Sequence, residues 1–237
     1  MEKIMTYETL RSFTYSNDKL CIQPIRGIVV NFTGLGGASM MDYDSALAIT
    51  YAKQGIVYLH PYVNPWNWMN RQAVDYTDEI IDVLLAQYGL PEDLPIVSSG
   101  GSMGGQSALV YTYYAKRTPV ACVANGPVCD LPYHFTERPD LPRTLYCAFG
   151  SMEGTMEEAL RSASPLHLAE TMPDTAYIIF HCGADQAVNK EKHSDRFVAA
   201  MQDRDITYYE IPECGHCDLP AEVWVEYYDA ITSAILE

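Results

Sequence analysis

The sequence predicts an open α/β fold in which helices cover both faces of a mostly parallel central sheet. Short apolar runs, most of them continuous rather than alternating, recur between turn residues, as is typical of strands buried on both faces. Segments with apolar side chains at helical spacing lie between these runs. Strands that alternate with helices pair in parallel through right-handed crossovers. The length of 237 residues favours one domain, residues 1–237.

Six apolar runs are predicted as strands of the main sheet, preceded by one or two short antiparallel strands within residues 1–26. In chain order the runs are residues 28–32, 56–60, 96–99, 120–124, 177–181 and 207–211. Helical patterns occupy residues 73–88, 106–116, 156–162, 190–196 and 224–235. Ligands of such sheets bind at the carboxyl ends of the strands, so the loops there are the candidates for function.

The spacing between strands is even except after residue 124, where a long proline-rich segment intervenes. Its prolines are Pro127, Pro132, Pro139, Pro142, Pro165 and Pro173. Connections of this length in compact domains are usually functional. We therefore expect residues 127–174 to form an insertion over the sheet edge, a modest cap.

Charge and cysteine content narrow the classes of partner and compartment. Fifteen Lys and Arg against 31 Asp and Glu leave a net charge of −16, which repels nucleic-acid phosphates and anionic lipid surfaces. Seven cysteines without the spacing of a disulfide framework favour a reducing compartment. No signal peptide or membrane-spanning run is evident. We expect a cytoplasmic protein without nucleic-acid or membrane partners, and a homodimer stays open.

A serine at the end of the third predicted strand is the candidate nucleophile. Residues 100–105 read Gly-Gly-Ser-Met-Gly-Gly between a strand and a helix, which is the setting that the G-x-S-x-G motif requires. A turn sharp enough to raise the hydroxyl of Ser102 above the sheet strains the backbone, and glycines on either side avoid steric collision. Ser98, Ser99 and Ser107 lack these flanking glycines.

A serine nucleophile needs an imidazole base and a carboxylate that orients it. In open α/β sheets these follow the serine along the chain, and His216 lies in a loop after the last predicted strand. His193 falls in a charged helical segment and is interpreted as a solvated residue. Asp185 follows strand 177–181 and is the first choice for the acid, while Asp130 is the alternative. His60 and His181 end strands and are interpreted as structural.

The oxyanion of an acyl-transfer reaction needs two backbone N–H donors. One belongs to the residue after the nucleophile, Met103, and we expect the other to come from Leu35 in the glycine-rich loop that includes Gly34. The same loop lacks the third glycine of a dinucleotide-binding fingerprint, so NAD binding is disfavoured. No cofactor or metal is expected.

These motifs together resemble those of the α/β-hydrolases, and over residues 27–236 they are most similar to the catalytic domains of the prolyl oligopeptidase and dienelactone hydrolase branch. The segments that carry the resemblance are residues 100–105, 164–166, 181–188 and 215–216. The resemblance implies that Ser102 is the nucleophile, Asp185 the acid and His216 the base. The chain departs from the family pattern at Thr33, Cys182 and Asn189, where many relatives have His, Gly and Pro.

A different class of function is suggested by residues 214–217, which read Cys-Gly-His-Cys. This is the dithiol pattern of protein disulfide isomerases, and it also combines zinc-ligand types. A thioredoxin-type site needs further strands after it, whereas the 20 residues after Cys217 suffice for one helix. The redox and zinc hypotheses are therefore disfavoured, and a Cys214–Cys217 disulfide that disables His216 stays open.

The favoured hypothesis is a serine hydrolase that cleaves a small carboxylic ester, such as an acylated carbohydrate or an acyl or aryl ester. Trp66 and Trp68, in an aromatic loop after the second main strand, are predicted to wall the substrate pocket together with Gly34. Tyr133, His134 and Phe135 are placed on the opposite wall by position alone. A peptidase of the prolyl oligopeptidase type is an alternative, disfavoured because residues 1–26 cannot form a propeller domain. The second alternative is a catalytically inert binding protein.

Overall fold

Seven strands form one sheet in the computed structural model, which describes residues 5–37 and 40–237. The strands are β1 (Thr14–Ser16), β2 (Gly27–Phe32), β3 (Ile56–Pro61), β4 (Ile96–Gly101), β5 (Ala121–Asn125), β6 (Ala176–Cys182) and β7 (Ile206–Ile211). Their order across the sheet is β1-β3-β2-β4-β5-β6-β7. Among the strand pairs of the described residues, only β1–β3 is antiparallel. The predicted mostly parallel sheet is confirmed.

Helices of the described chain connect these strands. They are α1 (Ala46–Lys53), α2 (Arg71–Tyr88), α3 (Met103–Tyr114), α4 (Leu131–Glu137), α5 (Leu141–Phe149), α6 (Met156–Ser162), α7 (Pro165–Leu168), α8 (Ser194–Ala200) and α9 (Ala221–Leu236). Capping residues define their ends: the side chain of Asn70 accepts from the N–H of Ala73 to begin α2, and the backbone of Gly89 ends that helix in a left-handed conformation with a φ of 59°. Thr155 and Glu158 form a reciprocal capping box at the start of α6.

Both faces of the sheet are buried, which explains why its strands have continuous apolar runs. Along β2, Val30 belongs to the core that packs on α2 and α3, whereas Val29 belongs to the core that packs on α1 and α9. Both side chains are 0% exposed. Alternate residues of a strand point to opposite faces, so a strand between two helical layers needs apolar side chains at every position.

The segment between β5 and β6 folds as the four short helices α4 to α7, within the predicted insertion. Its apolar side chains form a third core with Trp68 and with Met103, the first residue of α3. Hydrogen bonds tie the same region together, since the Gln106 side chain donates to the carbonyls of Trp68 and Ala163. The insertion therefore packs directly against the turn that carries Ser102.

Within the described residues, no helix has both the length and the apolar character needed to cross a membrane.

Candidate active site

Ser102 lies in a strained turn between β4 and α3. Its φ of 60° and ψ of −126° place a non-glycine residue in a region that side chains disfavour. The flanking glycines are required sterically: a Cβ on Gly100 would lie 2.5 Å from the Gly104 backbone, and one on Gly104 would lie 2.1 Å from the Phe32 carbonyl oxygen. The motif is therefore explained by close backbone packing, which leaves the half-buried Ser102 at the carboxyl end of the central strand β4.

An imidazole and a carboxylate meet in the same region. The Nδ1 of His216, in the loop after β7, lies 2.6 Å from Oδ2 of Asp185, in the loop after β6. The Asp185 side chain is 0% exposed, whereas the His216 side chain is 28% exposed. Because Nδ1 faces a carboxylate, the neutral ring carries its proton on Nδ1 and donates it, and Nε2 then has the lone pair that a base requires. His216 and Ser102 line one cavity.

Asp185 is held as an anion by several donors. Its Oδ1 accepts the N–H groups of Ala187 at 2.8 Å and Val188 at 3.0 Å. Its Oδ2 lies 3.2 Å from Nε2 of His181. Burial alone raises the pKa of Asp185, but the hydrogen bonds from His181, His216 and the backbone outweigh it and hold the pKa below 3.8. The carboxylate is therefore ionised at neutral pH.

His181 belongs to this site, although its position at the end of a strand predicts only a structural role. Its Nδ1 lies 2.6 Å from the hydroxyl of Ser194, and its Nε2 faces both Asp185 and the carbonyl oxygen of Val188 at 3.3 Å. Because Nε2 faces two acceptors, it carries the proton, and Nδ1 accepts from Ser194. His181 thus orients the acid, and its position four residues before Asp185 was the available signal.

His216 has a raised pKa. Burial lowers the pKa of this imidazole, but the hydrogen bond to Asp185 and the neighbouring Cys217 outweigh that effect and raise it above 6.5. The Sγ of Cys217 lies 3.8 Å from Nε2 of His216 and 3.3 Å from the carbonyl oxygen of Asn125. A base with a raised pKa becomes neutral only at higher pH, which bears on the pH dependence discussed below.

The two predicted oxyanion donors lie beside Ser102. Met103 is the first residue of α3, so its N–H has no partner within that helix. Leu35 lines the same cavity as Ser102, and no hydrogen bond of its N–H occurs in the described parts of the chain. A Cβ on Gly34 would lie 3.7 Å from Cβ of Ser102, so this loop passes close to the nucleophile. The oxyanion roles of Leu35 and Met103 stay predictions.

A cavity of about 630 Å³ contains Ser102 and His216 and has one aromatic wall. Trp224 and Tyr228 of α9 are stacked, with ring centroids 5.5 Å apart and planes 20° apart. Tyr58, Tyr227 and Phe32 also line the cavity. The polar groups on its lining include Asn31, Thr33, Asn125, His134 and Arg138. Such a mixture suits an organic substrate with an apolar part and a few polar groups.

The residues predicted to bind substrate occupy different places. Gly34 and Trp68 line the cavity of Ser102, but Trp68 is only 1% exposed and its Nε1–H donates to Thr144. Trp66 lines a separate cavity, of about 270 Å³, and its ring lies under the guanidinium of Arg143. The structure therefore brings Gly34 and Trp68 to the site and leaves Trp66 outside that cavity. The aromatic side chains of α9, far along the sequence, supply the wall that was assigned to the tryptophan loop.

The alternative acid, Asp130, is engaged elsewhere. Its Oδ1 accepts the N–H of Tyr133 at the start of α4, and its Oδ2 pairs with Arg196 at 2.6 Å.

The interpretation of His193 as a solvated helix residue is wrong. His193 lies just before α8, and its side chain is 0% exposed. Its Nδ1 accepts the N–H groups of Cys129 and Asp130, both at 3.1 Å. The charged neighbours of His193 in the sequence concealed this inward orientation.

Three side chains of metal-ligating type lie together in the insertion region. Ligand atoms of His134, Glu137 and His193 are all within 4.8 Å of one another. The Nδ1 of His193 accepts two backbone N–H groups, so its proton is on Nε2, which faces Glu137 at 3.1 Å. A metal ion on that nitrogen would require a tautomer with Nδ1–H opposed to both backbone donors. We therefore assign these residues to a hydrogen-bonded network rather than to a metal site.

The disulfide in the structure is not the Cys214–Cys217 bond that the sequence leaves open. Cys214 forms a disulfide with Cys182, with their Cα atoms 5.1 Å apart, and Cys217 is a free thiol. The Cys214–Cys217 hypothesis is thus wrong, and the dithiol and zinc hypotheses lose a required sulfur. The Cys182–Cys214 disulfide does not agree with the reducing compartment that the cysteine spacing favours, and the cytoplasmic location stays a prediction. The bond joins the end of β6, three residues before Asp185, to the loop that contains His216.

The disulfide should stabilise both the fold and the relative position of the acid and base loops. It spans a sequence separation of 32 residues, and replacing both Cys182 and Cys214 by Ala is expected to lower the free energy of unfolding by about 3–4 kcal/mol. Urea unfolding measures this change, and Cys147→Ala, at an exposed free thiol, is the control. Unreduced, unfolded protein should show five free thiols. A titre of seven would contradict the pairing.

Comparisons with known proteins give a match in structure and none in sequence. No protein-family model matches the chain, and no curated protein matches it. Among solved structures, the chain is similar to a puromycin hydrolase, with a TM-score of 0.73 and 19% identity over 90% of this chain. It spans about a third of that protein's length, 34%.

Two structures of similar length to this chain are also similar to it. The S-formylglutathione hydrolase from Agrobacterium tumefaciens matches with a TM-score of 0.67 and 17% identity, over 94% of this chain and 87% of that one. Est1E from Butyrivibrio proteoclasticus matches with a TM-score of 0.62 and 16% identity, over 94% of both chains. At these identities the likeness concerns the fold.

Proposed function

Because the chain has the α/β-hydrolase fold, we propose that it is a serine hydrolase that cleaves carboxylic esters through an acyl-enzyme on Ser102. The observation that carries the proposal is the strained Ser102 in one cavity with a His216 whose Nδ1 is bound to Asp185. Similarity to hydrolases, including the S-formylglutathione hydrolase, supports the same class.

The proposed reaction proceeds in two halves. The Ser102 hydroxyl attacks the ester carbonyl while Nε2 of His216 takes its proton. The N–H groups of Met103 and Leu35 would stabilise the oxyanion that forms. The imidazolium then protonates the departing alcohol, which leaves the acyl group on Ser102. His216 next activates water to release the acid, and Asp185 stabilises the imidazolium in both halves.

An ester is a better candidate substrate than a peptide. Aromatic side chains form one wall of the cavity and suit contact with an acyl or aryl group. The cavity volume of about 630 Å³ matches a small organic molecule. The puromycin hydrolase, a much larger protein, is matched over 34% of its length, so its activity is not carried over to this chain.

A matched pair of substrates tests the ester proposal. We expect p-nitrophenyl butyrate to be hydrolysed with a kcat/KM at least about 10³-fold above that for butyryl p-nitroanilide, since aryl esters have much lower barriers than amides. Glycyl-prolyl p-nitroanilide serves as a third substrate for the peptidase alternative. Hydrolysis of either amide at a rate similar to that of the ester would contradict the proposal.

A further inference from the structure

A second imidazole–carboxylate pair lies beside the active-site cavity, on the insertion. The Nδ1 of His134 lies 2.6 Å from Oε2 of Glu137, three residues further along α4. His134 is 2% exposed and lines the cavity that contains Ser102. Its ring packs edge-on against Trp68, with centroids 5.5 Å apart, and against His193, with centroids 5.3 Å apart. The ring is thus held in one orientation.

Glu137 is a fixed anion that determines which nitrogen of His134 carries the proton. Besides His134, its carboxylate accepts from Nε2 of His193 at 3.1 Å and from the N–H of Asn189 at 3.0 Å. Burial raises the pKa of Glu137, but these hydrogen bonds outweigh it and hold the pKa below 4.5. An ionised carboxylate accepts only, so Nδ1 of His134 must donate.

The other nitrogen of His134, Nε2, is not hydrogen-bonded to any residue that the structure describes. Burial lowers the pKa of His134 below 6.5 despite the hydrogen bond to Glu137, so the ring is neutral at pH 7. With its single proton on Nδ1, Nε2 presents a lone pair. Within the described residues, Nε2 of His134 has no hydrogen-bond partner. It is not fully buried, so it keeps some contact with the solvent. His134 lines the cavity of Ser102.

A cation with a free N–H group shares the cavity lining. Arg138 follows α4, and its Nε and Nη2 donate to Asp140 at 3.1 and 2.9 Å. Its Nη1 has no partner among the residues that the structure describes. The cavity therefore offers an acceptor on His134 and a donor on Arg138. A hydroxyl group can donate to the first and accept from the second, whereas an ammonium group has no lone pair with which to accept from the guanidinium.

We propose that His134, oriented by Glu137, is a specificity residue whose Nε2 accepts a hydrogen bond from a hydroxyl group of the substrate. The substrate class is then a hydroxylated carboxylic ester, with the hydroxyl on the acyl or the alcohol part. This inference rests on the proposed ester hydrolysis at Ser102. His134 takes no part in the bond changes, because the proton transfers of that reaction belong to His216.

Matched substrates in which methoxy groups replace hydroxyl groups test this proposal without altering the protein. The acyl-side pair is p-nitrophenyl 3-hydroxybutanoate and p-nitrophenyl 3-methoxybutanoate. The alcohol-side pair is glyceryl 1-monobutyrate and its 2,3-dimethyl ether. A methoxy group accepts but cannot donate, so we expect at least about a tenfold preference in kcat/KM for the hydroxyl member of one pair. A preference below about twofold in both pairs would overturn the proposal.

A variant then assigns the preference to His134. His134→Phe keeps an aromatic ring against Trp68 and removes the acceptor, so the ratio of kcat/KM between the hydroxyl and methoxy members should fall to about one. The control is His167→Phe, at a half-buried histidine of the insertion outside the cavity, which should keep the preference. A preference that survives in His134→Phe, or an equal loss for both members of the pair, would overturn the assigned role.

The outcomes separate this inference from the function on which it rests. Hydrolysis of both members of each pair at equal rates, with Ser102 required, leaves the esterase proposal standing and removes only the role of His134. Absence of hydrolysis for all four esters and for p-nitrophenyl butyrate removes both.

Discussion

Ser102→Ala is expected to lower kcat for p-nitrophenyl butyrate by at least about 10⁴-fold and to abolish covalent labelling by a fluorophosphonate. The Ser102 hydroxyl is the only group of the protein that forms a bond to the acyl carbon in the proposed reaction, so no neighbouring residue replaces it. Alanine has the same backbone restrictions as serine at a φ of 60°, so the variant should fold as the wild type does. Initial-rate kinetics and labelling on a denaturing gel measure the two effects.

A serine elsewhere on the same helix supplies the control for this experiment. Ser107 is 1% exposed and its hydroxyl donates to the side chain of Gln106, away from the turn that carries Ser102. Ser107→Ala should be labelled and should turn over the ester within about threefold of the wild type. Turnover that persists in Ser102→Ala would remove the serine mechanism. Unlabelled wild-type protein would favour the catalytically inert alternative.

Asp185→Asn is expected to lower kcat by about 10⁴-fold with little change in KM. The carboxylate fixes Nδ1–H of His216 and balances the charge that the imidazole acquires when it takes the proton of Ser102. An asparagine amide carries no charge and can donate to Nδ1, which favours the unreactive tautomer. With its NH2 group at the position of Oδ2, it would also oppose an N–H group to that of His181, while its oxygen still accepts from Ala187 and Val188.

The pH dependence of the same variant tests the cause of the raised pKa of His216. The base must be neutral to accept a proton, so wild-type kcat/KM should rise with pH along a limb whose apparent pKa lies above 6.5. The hydrogen bond to Asp185 contributes to that rise in pKa. In Asp185→Asn the limb should therefore move to lower pH, while the plateau falls.

Asp130→Asn is the matched control, because Asp130 was the alternative acid in the sequence. Its carboxylate caps α4 and pairs with Arg196, so the variant should lose stability rather than the chemical step. We expect its kcat within about fivefold of the wild type and an unchanged pH limb. A larger loss of kcat in Asp130→Asn than in Asp185→Asn would reverse the assignment of the acid.

The sheet and the nucleophile turn were accessible from the sequence because local physics determines both. Strands buried on two faces need apolar side chains at every position, as in Val29 and Val30, and this pattern is visible without a structure. The glycines at positions 100 and 104 report a backbone contact that any side chain would prevent. A short motif of this kind predicts the same local backbone packing independently of the rest of the sequence.

The substrate wall and the buried histidines were less accessible, because long-range packing decides them. The tryptophan loop was assigned to the pocket from its composition, yet Trp66 lies beside another cavity, and Trp224 with Tyr228 forms the aromatic wall. His193 has charged sequence neighbours but turns inward to accept two backbone N–H groups. Composition predicts which residues can serve a site, whereas packing selects the residues that reach it.

The sequence by itself determined the α/β class, the order of the strands along the chain, and the candidates Ser102, Asp185 and His216. Each of these follows from periodicity, a local motif or chain order, which involve residues close in sequence. Tertiary structure alone decided that Asp185 rather than Asp130 meets His216, that Cys182 bonds to Cys214, and that Glu137 orients His134 toward the cavity. The first is a contact between two loops, the second joins the end of a strand to a loop, and the third depends on which way helix α4 faces. Their energies depend on three-dimensional distance, which sequence spacing does not specify.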